Sequence, residues 1–537
     1  MRSVSTLVIL TLVTVSFAKL ELRSKEIKAK EQLAHSLPKV SITEFVAESN
    51  DDKCTTPLAV GESTAHNASV NVTSGYLNIG TNTSSALFYI FYQCRSLNST
   101  LNPTPVTDFT KVPVVVWLQG GPGSSSLLGA FLELGPYKIV NNTQTGKFEE
   151  VAAPLSWNDY YNLLIIENPV GVGYGNIQNA SDYTRNETRV AENMLNALLN
   201  FYNLSNFTGL QQTPLYLFGE SYAGHYIPAI SNRILRYNNQ TSGMKIPLKG
   251  AGIGNGWVDP PNQLSDYGLY GYALGLIDDQ ERAIVEQAQL DAYYQFQSGK
   301  RYLNQGNIAA AAPFMAAALN DFNTLTNTIV NGGGNVNVYN YRVFGDYSAL
   351  DNPLTTYLNY PETYSKYCTR GSRFGNTTWY QANDDVYSNM SYYDFMDTVA
   401  PNISNVLNTN SLPMMFYNGQ DDIICNSPST QTWISKLGWT GQNQFYSADT
   451  QVWLANNGTH AGFYKNYGPL TYVTVNKAGH LAPMDQIGTT TEMLRRFIGG
   501  CQNWTAPYEP TTTAAQQQPE TKLFNEDEFL VKSNNFQ

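Results

Sequence analysis

Apolar residues in this chain gather in short blocks that stop at glycine. Val112–Leu118 runs without a polar break into Gln119-Gly120-Gly121-Pro122-Gly123, and Leu163–Ile166 leads to Gly171-Val172-Gly173. Leu215–Phe218 meets Gly219, Lys249–Ile253 meets Gly254-Asn255-Gly256, Met414–Tyr417 meets Asn418-Gly419, and Tyr472–Val475 precedes Ala478-Gly479-His480. An unbroken Val/Leu/Ile run is what a strand covered on both faces requires. Between two of these blocks Val190, Met194, Leu198 and Phe201 recur at helical spacing. Strands that end in glycine-bearing loops and alternate with helices predict an α/β fold built on a mostly parallel sheet. Its functional site should lie at the strands' carboxyl ends. Upstream, Tyr76–Ile79 and Leu87–Phe91 are separated by turn-forming residues and predict an antiparallel hairpin.

The rhythm lapses between residues 262 and 408. Glu281–Gln297 and Ile308–Thr326 are helical in character, and Tyr/Asn-rich irregular sequence follows. A separate domain would explain this, but sheet-type strands resume afterwards, which favours an insertion. The expected organisation is a core in two parts, 56–261 and 409–503, around a largely helical cap, 262–408. At the ends, Met1–Ala18 has the basic start, apolar run and small-residue cleavage site of a secretory signal. Residues 19–55 form a Lys/Glu-rich leader or pro-segment, and 504–537 form a Thr/Pro/Gln-rich disordered tail. No later stretch has the apolar length needed to span a membrane.

Fifteen Asn-x-Ser/Thr sequons, among them Asn67, Asn71, Asn82, Asn203, Asn206 and Asn457, also indicate the secretory pathway. An acidic, lysosome- or vacuole-like organelle and the outside of the cell both remain open. In an oxidising compartment five cysteines predict two disulfides among Cys54, Cys94, Cys368 and Cys501. Cys425, beside a candidate acid, is the odd thiol. A net charge of −11 provides no basic field for nucleic acid. The scattered histidines show no metal-ligand spacing, and no cofactor is expected.

The candidate chemistry centres on Gly219-Glu220-Ser221-Tyr222-Ala223-Gly224. A Gly-x-Ser-x-Gly turn between strand and helix lifts a serine hydroxyl clear of a sheet. Such a serine needs a base, and the base needs an orienting carboxylate. Of the five histidines, His35 lies in the leader and His66 abuts a sequon. His225 shares the serine's helix but cannot turn back to its hydroxyl, and His460 follows another sequon. His480 ends a strand in a glycine-bearing loop and is the expected base. Asp421 and Asp422 lie between serine and histidine in the chain, and sequence spacing leaves the choice between them open. Two backbone N–H donors must meet a tetrahedral oxyanion. Tyr222 supplies one and the Gly120-Gly121 loop the other, with Gly121 the expected donor.

Together with Gly75-Tyr76-Leu77, Glu133-Leu134-Gly135-Pro136 and Ser156-Trp157-Asn158, these motifs resemble the serine carboxypeptidase family, in the family's order from Gly75 to Ile498. Gln119 and the Asn418-Gly419-Gln420 run are similar to its vitellogenic-like branch. The resemblance implies an α/β-hydrolase fold and removal of C-terminal residues from peptides and proteins through an acyl-enzyme, best at acidic pH. It implies Ser221 as nucleophile, Asp422 as acid, His480 as base, and Gly121 and Tyr222 as oxyanion donors. Gln119, Gly120 and Glu220 would grip the substrate's terminal carboxylate, Glu133 would couple to Glu220, and Leu128, Leu132 and Leu481 would line an apolar pocket. Many relatives carry asparagine where Gln119 stands and cysteine where Ser124 stands. Acyl transfer or ester hydrolysis is the alternative within the same triad. A catalytically dead binding protein would have no need of serine, acid, base and both oxyanion segments. The sequence leaves the oligomeric state open, a homodimer included.

Overall fold

The computed structural model describes residues 54–57, 70–80, 83–95, 108–367, 369, 378–392, 394–409, 412–501 and 503–505. The signal segment, nearly all of the leader, Asn67, Asn82, and the tail beyond residue 505 lie outside the described residues, as do the side chains of Cys54 and Cys368.

Eleven strands form one sheet. They are β1 (Cys54–Pro57), β2 (Asn71–Asn78), β3 (Ala86–Tyr92), β4 (Val114–Leu118), β5 (Asn162–Ile166), β6 (Leu215–Glu220), β7 (Leu248–Gly254), β8 (Met414–Gly419), β9 (Gln451–Leu454), β10 (His460–Tyr467) and β11 (Leu470–Val475). Their order is β1-β2-β3-β5-β4-β6-β7-β8-β11-β10-β9. The run β5-β4-β6-β7-β8-β11 is parallel throughout. Antiparallel strands flank it on both sides. The final residues of the expected leader, Cys54 and Thr55, thus begin an edge strand.

Alternation along the buried strands divides them between two cores. In β4, Val114, Val116 and Leu118 enter one core, while Val115 and Trp117 enter the other. Helix α1 (Glu187–Asn203) closes the first core with Val190, Met194, Leu198 and Phe201. Helix α2 (Ala223–Gln240), which follows the serine turn, lies on the same face. Trp157, Phe218 and Phe497 pack edge to face in the second core.

The stretch between β7 and β8 carries two long helices, α3 (Asp279–Asn304) and α4 (Ile308–Gly332), which pack through Val285, Ala292, Phe296, Met315 and Phe322. Both run past their expected C-terminal ends, and α3 also starts earlier, at an Asp278 capping box, whereas an Asn307 side chain caps α4 at its expected start. The sequence after α4, expected to be irregular, contains a hairpin (Val336–Asn337 with Asn340–Phe344) and the helices Ser348–Leu358, Pro361–Lys366, Asp384–Ser391 and Ala400–Thr409. Among the described residues no helix is long and apolar enough to cross a membrane. Asn71, Asn203, Asn206 and Asn457 are exposed.

Two of the four cysteines expected to form disulfides, Cys54 and Cys368, have side chains outside those described. Those whose side chains are described form no bridge with one another, and Cys501 donates its thiol to the Asn503 carbonyl at 3.1 Å. Cys425 is buried and free.

Close packing at the sheet centre leaves no room at Gly219. A Cβ there would stand 2.3 Å from the Leu118 carbonyl oxygen of the neighbouring strand. Gly219→Ala is therefore expected to destabilise the fold by about 1–3 kcal/mol, measured as a lower urea midpoint with an unchanged slope.

Candidate active site

Strand β6 delivers Ser221 at its carboxyl end with φ 60°, a left-handed conformation that is strained for a residue with a side chain. Main-chain bonds hold it there. Ser221 N donates to the Gly254 carbonyl at 3.0 Å, and the Ser221 carbonyl accepts from Gly224 and Trp257, both at 2.9 Å. The loop after β4 presses against the turn. A Cβ on Gly120 would fall 2.5 Å from Tyr222 N and 2.6 Å from Ser221 Cβ, so only glycine fits. Gly120 and Gly121 thereby lie beside Ser221 and Tyr222, lining the same cavity of about 710 Å³. Glu167, at the end of β5, braces this loop by accepting from Ser125 Oγ (2.7 Å) and Ser126 N (2.8 Å). Burial pushes the Glu167 carboxyl up to about 7.

The loops after β8 and β11 bring together Asp422 and His480, the expected acid and base. His480 Nδ1 lies 2.8 Å from Asp422 Oδ2, and both residues are buried. Asp422 Oδ2 also accepts from Asn255 Nδ2 at 2.7 Å, while Asn255 Oδ1 accepts from Gly419 N at 3.1 Å. Asn255, itself at φ 44°, ties the end of β7 to the acid loop. Asp421 points elsewhere and pairs with Arg342 of the inserted hairpin at 3.2 Å. His480 lines the cavity with Ser221, and no hydrogen bond joins the two side chains among those described. Such bonds commonly tighten only when substrate is bound. The hairpin between β7 and β8 covers His480: the Tyr339 carbonyl accepts from His480 N at 2.6 Å, and the two rings lie 5.1 Å apart. Asp485 joins both segments by accepting from Gly479 N (2.7 Å) and Asn340 Nδ2 (3.0 Å).

On the other side of Ser221, Gln119 sits between two carboxyls. Its Nε2 donates to Glu220 Oε1 at 2.6 Å and to Glu133 Oε1 at 3.2 Å. Trp117 Nε1 fixes the amide's orientation by donating to Gln119 Oε1 at 2.9 Å. Burial, the largest effect, pushes Glu133 up to about 7. Burial and then the charge of Glu133 hold Glu220 well above its ordinary value. Leu128, Leu132 and Leu481 line the cavity with Gln119, Gly120 and Glu220, whereas Glu133 stands behind the lining.

Of the remaining histidines, His225 is buried against the Trp257 and Asp397 carbonyls, and His460 is exposed on β10. Asp422, Cys425 and His480 bring three ligand-type atoms within 4.8 Å of one another. Asp422 Oδ2 is already shared by His480 and Asn255. Burial, then the charge of Asp422, pushes the Cys425 thiol up, away from the thiolate a metal would require. Asn255, Tyr339 and Glu167 are site residues to which the sequence assigned no role. Only Asn255 and Glu167 left a trace, inside the glycine-bearing segments that end their strands.

The fold is that of an α/β-hydrolase, with the serine turn on the central parallel strands and Asp422 and His480 on later loops. A solved prohormone-processing carboxypeptidase from Saccharomyces cerevisiae matches with a TM-score of 0.65 at 21% identity, covering 81% of this chain and 93% of its own. Residues 63–500 match the family described as serine carboxypeptidase, and the chain belongs to that family. It is 34% identical over 425 residues to the venom serine carboxypeptidase of Apis mellifera, covering 79% of this chain and 83% of that protein. It is 30% identical over 442 residues to the vitellogenic carboxypeptidase of Aedes aegypti, covering 80% and 84%. The protein is a serine-type carboxypeptidase, a hydrolase.

The buried carboxyls set a pH dependence of stability. Glu133 and Glu167 are held up to about 7 and Asp485 to about 6, above their ordinary values of 4.5 and 3.8. Between those limits the folded chain binds more protons than the unfolded one, so stability falls as pH rises. Melting temperature is expected to decline from about pH 4.5 to about pH 7. The decline should be shallower in Glu133→Gln, and a profile that rises over this window would contradict the assignment.

Proposed function

We propose that Ser221 attacks the carbonyl of a substrate's last peptide bond while His480 takes its proton. Asp422, oriented by Asn255, holds the imidazole and balances its charge. The Gly121 and Tyr222 N–H groups receive the oxyanion. Collapse breaks the C–N bond, His480 returns the proton to the leaving amine, and the acyl group stays on Ser221 Oγ. Water, deprotonated by His480, then attacks the ester, releasing the shortened peptide and restoring the serine.

The Gln119–Glu220–Glu133 cluster carries the exopeptidase reading. It places an amide and two carboxyls held above their ordinary range beside the proposed nucleophile. A protonated carboxyl donates to a substrate carboxylate, whereas an ionised one repels it. Glu220, with Gln119 and the Gly120 N–H, is therefore proposed to hold the terminal carboxylate, with Glu133 supporting it. The C-terminal side chain would rest on Leu128, Leu132 and Leu481. Because the grip needs protons, KM should be lowest in acid and rise as these carboxyls ionise. Signal-like residues 1–18 and the exposed sequons support an acidic organelle of the secretory pathway or secretion as the place of action.

A blocked dipeptide and its C-terminal amide, compared at about pH 5, test this reading. The free acid should be cleaved far faster, and equal rates would leave only a general esterase or amidase. Glu220→Gln should flatten the rise of KM with pH while sparing the amide. Ser221→Ala should abolish both turnover and labelling by an organophosphonate.

A further inference from the structure

Ser221 is flanked by two side chains that reach buried carboxyls in opposite directions. Glu220 meets Glu133, and on the other side Tyr222 meets a second acidic pair with no part in the steps above. The Tyr222 hydroxyl donates to Asp394 Oδ2 at 2.7 Å. Beside Asp394 stands Glu187, in the first turn of α1, whose two carboxyl oxygens are buried without a hydrogen-bond partner of good geometry. Burial, followed by the charge of Asp394, holds Glu187 well above its ordinary value, and burial also raises Asp394.

The Tyr222 ring is clamped as firmly as its hydroxyl. His225 stacks on it at 4.5 Å with an interplanar angle of 13°, and Phe395 lies at 5.4 Å and 21°. His225 Nδ1 lies 2.6 Å from the Trp257 carbonyl and Nε2 lies 3.1 Å from the Asp397 carbonyl. Both carbonyls thereby fix the plane of the imidazole against the phenol. Two buried carboxyls and an imidazole are thus enclosed around one phenol. Enclosing polar groups is costly unless they are satisfied or perform a task.

We propose that Glu187, Asp394 and His225 are positioning residues for the oxyanion donor, acting through the side chain of Tyr222. Tyr222 is the last residue before α2, and the direction of its N–H is set by a backbone that the main-chain bonds at Ser221 hold on one side. Anchoring its phenol at Asp394 and its ring at His225 fixes that direction before the oxyanion forms, which is where preorganisation matters for rate. Asp394, Phe395 and Asp397 all come from the stretch between β7 and β8, so that region holds the proposed oxyanion hole from behind. The inference rests on the assignment of the Tyr222 N–H to the oxyanion, and its test must separate the two.

A blocked amino aldehyde, whose adduct with serine presents an oxyanion, and the matching alcohol, which presents none, provide that separation. The unaltered protein should bind the aldehyde roughly a hundredfold tighter. Tyr222→Phe keeps the N–H and the ring stack but removes the hydroxyl. It should lose on the order of tenfold in aldehyde affinity and in kcat, with alcohol affinity and KM unchanged. Asp394→Asn, which keeps an acceptor for the phenol, should retain more of the aldehyde preference than Asp394→Leu. A full aldehyde preference in folded Tyr222→Phe would overturn the positioning role even where Asp394→Leu fails to fold. An unaltered protein with no aldehyde preference would instead overturn the underlying assignment of Ser221 and Tyr222.

Discussion

The left-handed backbone at Ser221 is the constraint on which the rest of the site depends. Such a conformation costs about 1–3 kcal/mol, and surrounding structure must enforce it. Here the enforcement is main-chain throughout: Gly254, Gly224 and Trp257 hydrogen-bond the serine's own peptide groups. Because the lock is backbone, neighbouring segments must approach at backbone distance, which explains why glycine stands at 120 and 219. The same approach brings Gly120 against Ser221 and Tyr222. One strained residue therefore accounts for the turn, the adjoining loop and the proximity of the proposed oxyanion donors.

A second constraint follows from the first. Crowding around Ser221 excludes water from its neighbours, and the polar groups buried there need partners. Glu220 and Glu133 share Gln119, while Asp394 and Glu187 meet beside the phenol of Tyr222. Burial holds these carboxyls above their ordinary range. A net-acidic chain that packs several such carboxyls near Ser221 suits an acidic medium for folding and, in the proposed role of Glu220, for binding a carboxylate. Low pH is thus written into the interior more clearly than into the surface charge.

Legibility from sequence followed burial. The central strands were readable because both faces are covered, which forces unbroken apolar runs. Strands β9 and β10, with Val452, His460, Phe463 and Tyr467 exposed at the sheet edge, carry mixed residues and gave no such signal. The candidate serine, candidate base and glycine loop were readable from their positions at strand ends. The choice between Asp421 and Asp422 depended on which side of a turn faces His480, and spacing does not encode that. Asn255 was visible only as the middle of Gly-Asn-Gly, because its role exists only through the pairing of β7 with β8, where its N–H meets the Tyr417 carbonyl at 2.7 Å. Tyr339, Asp394 and Glu187 lie in segments without a motif, and only the folded chain brings them to the site.

That last group changes how the inserted region should be understood. An insertion that merely roofed a pocket would touch substrate and could vary freely. This one accepts a hydrogen bond from the His480 N–H, pairs with Asp421 beside Asp422, and holds Tyr222 through Asp394 and Phe395. It therefore contacts the Asp422 loop, His480 and the proposed oxyanion donor separately, each through a different local segment. Loss of any one contact would leave the serine turn intact while displacing its partners by fractions of an ångström. Catalysis is sensitive to shifts of that size, whereas folding tolerates them. The polar, irregular stretch that broke the sheet rhythm in the sequence is thus integral to the geometry of the site.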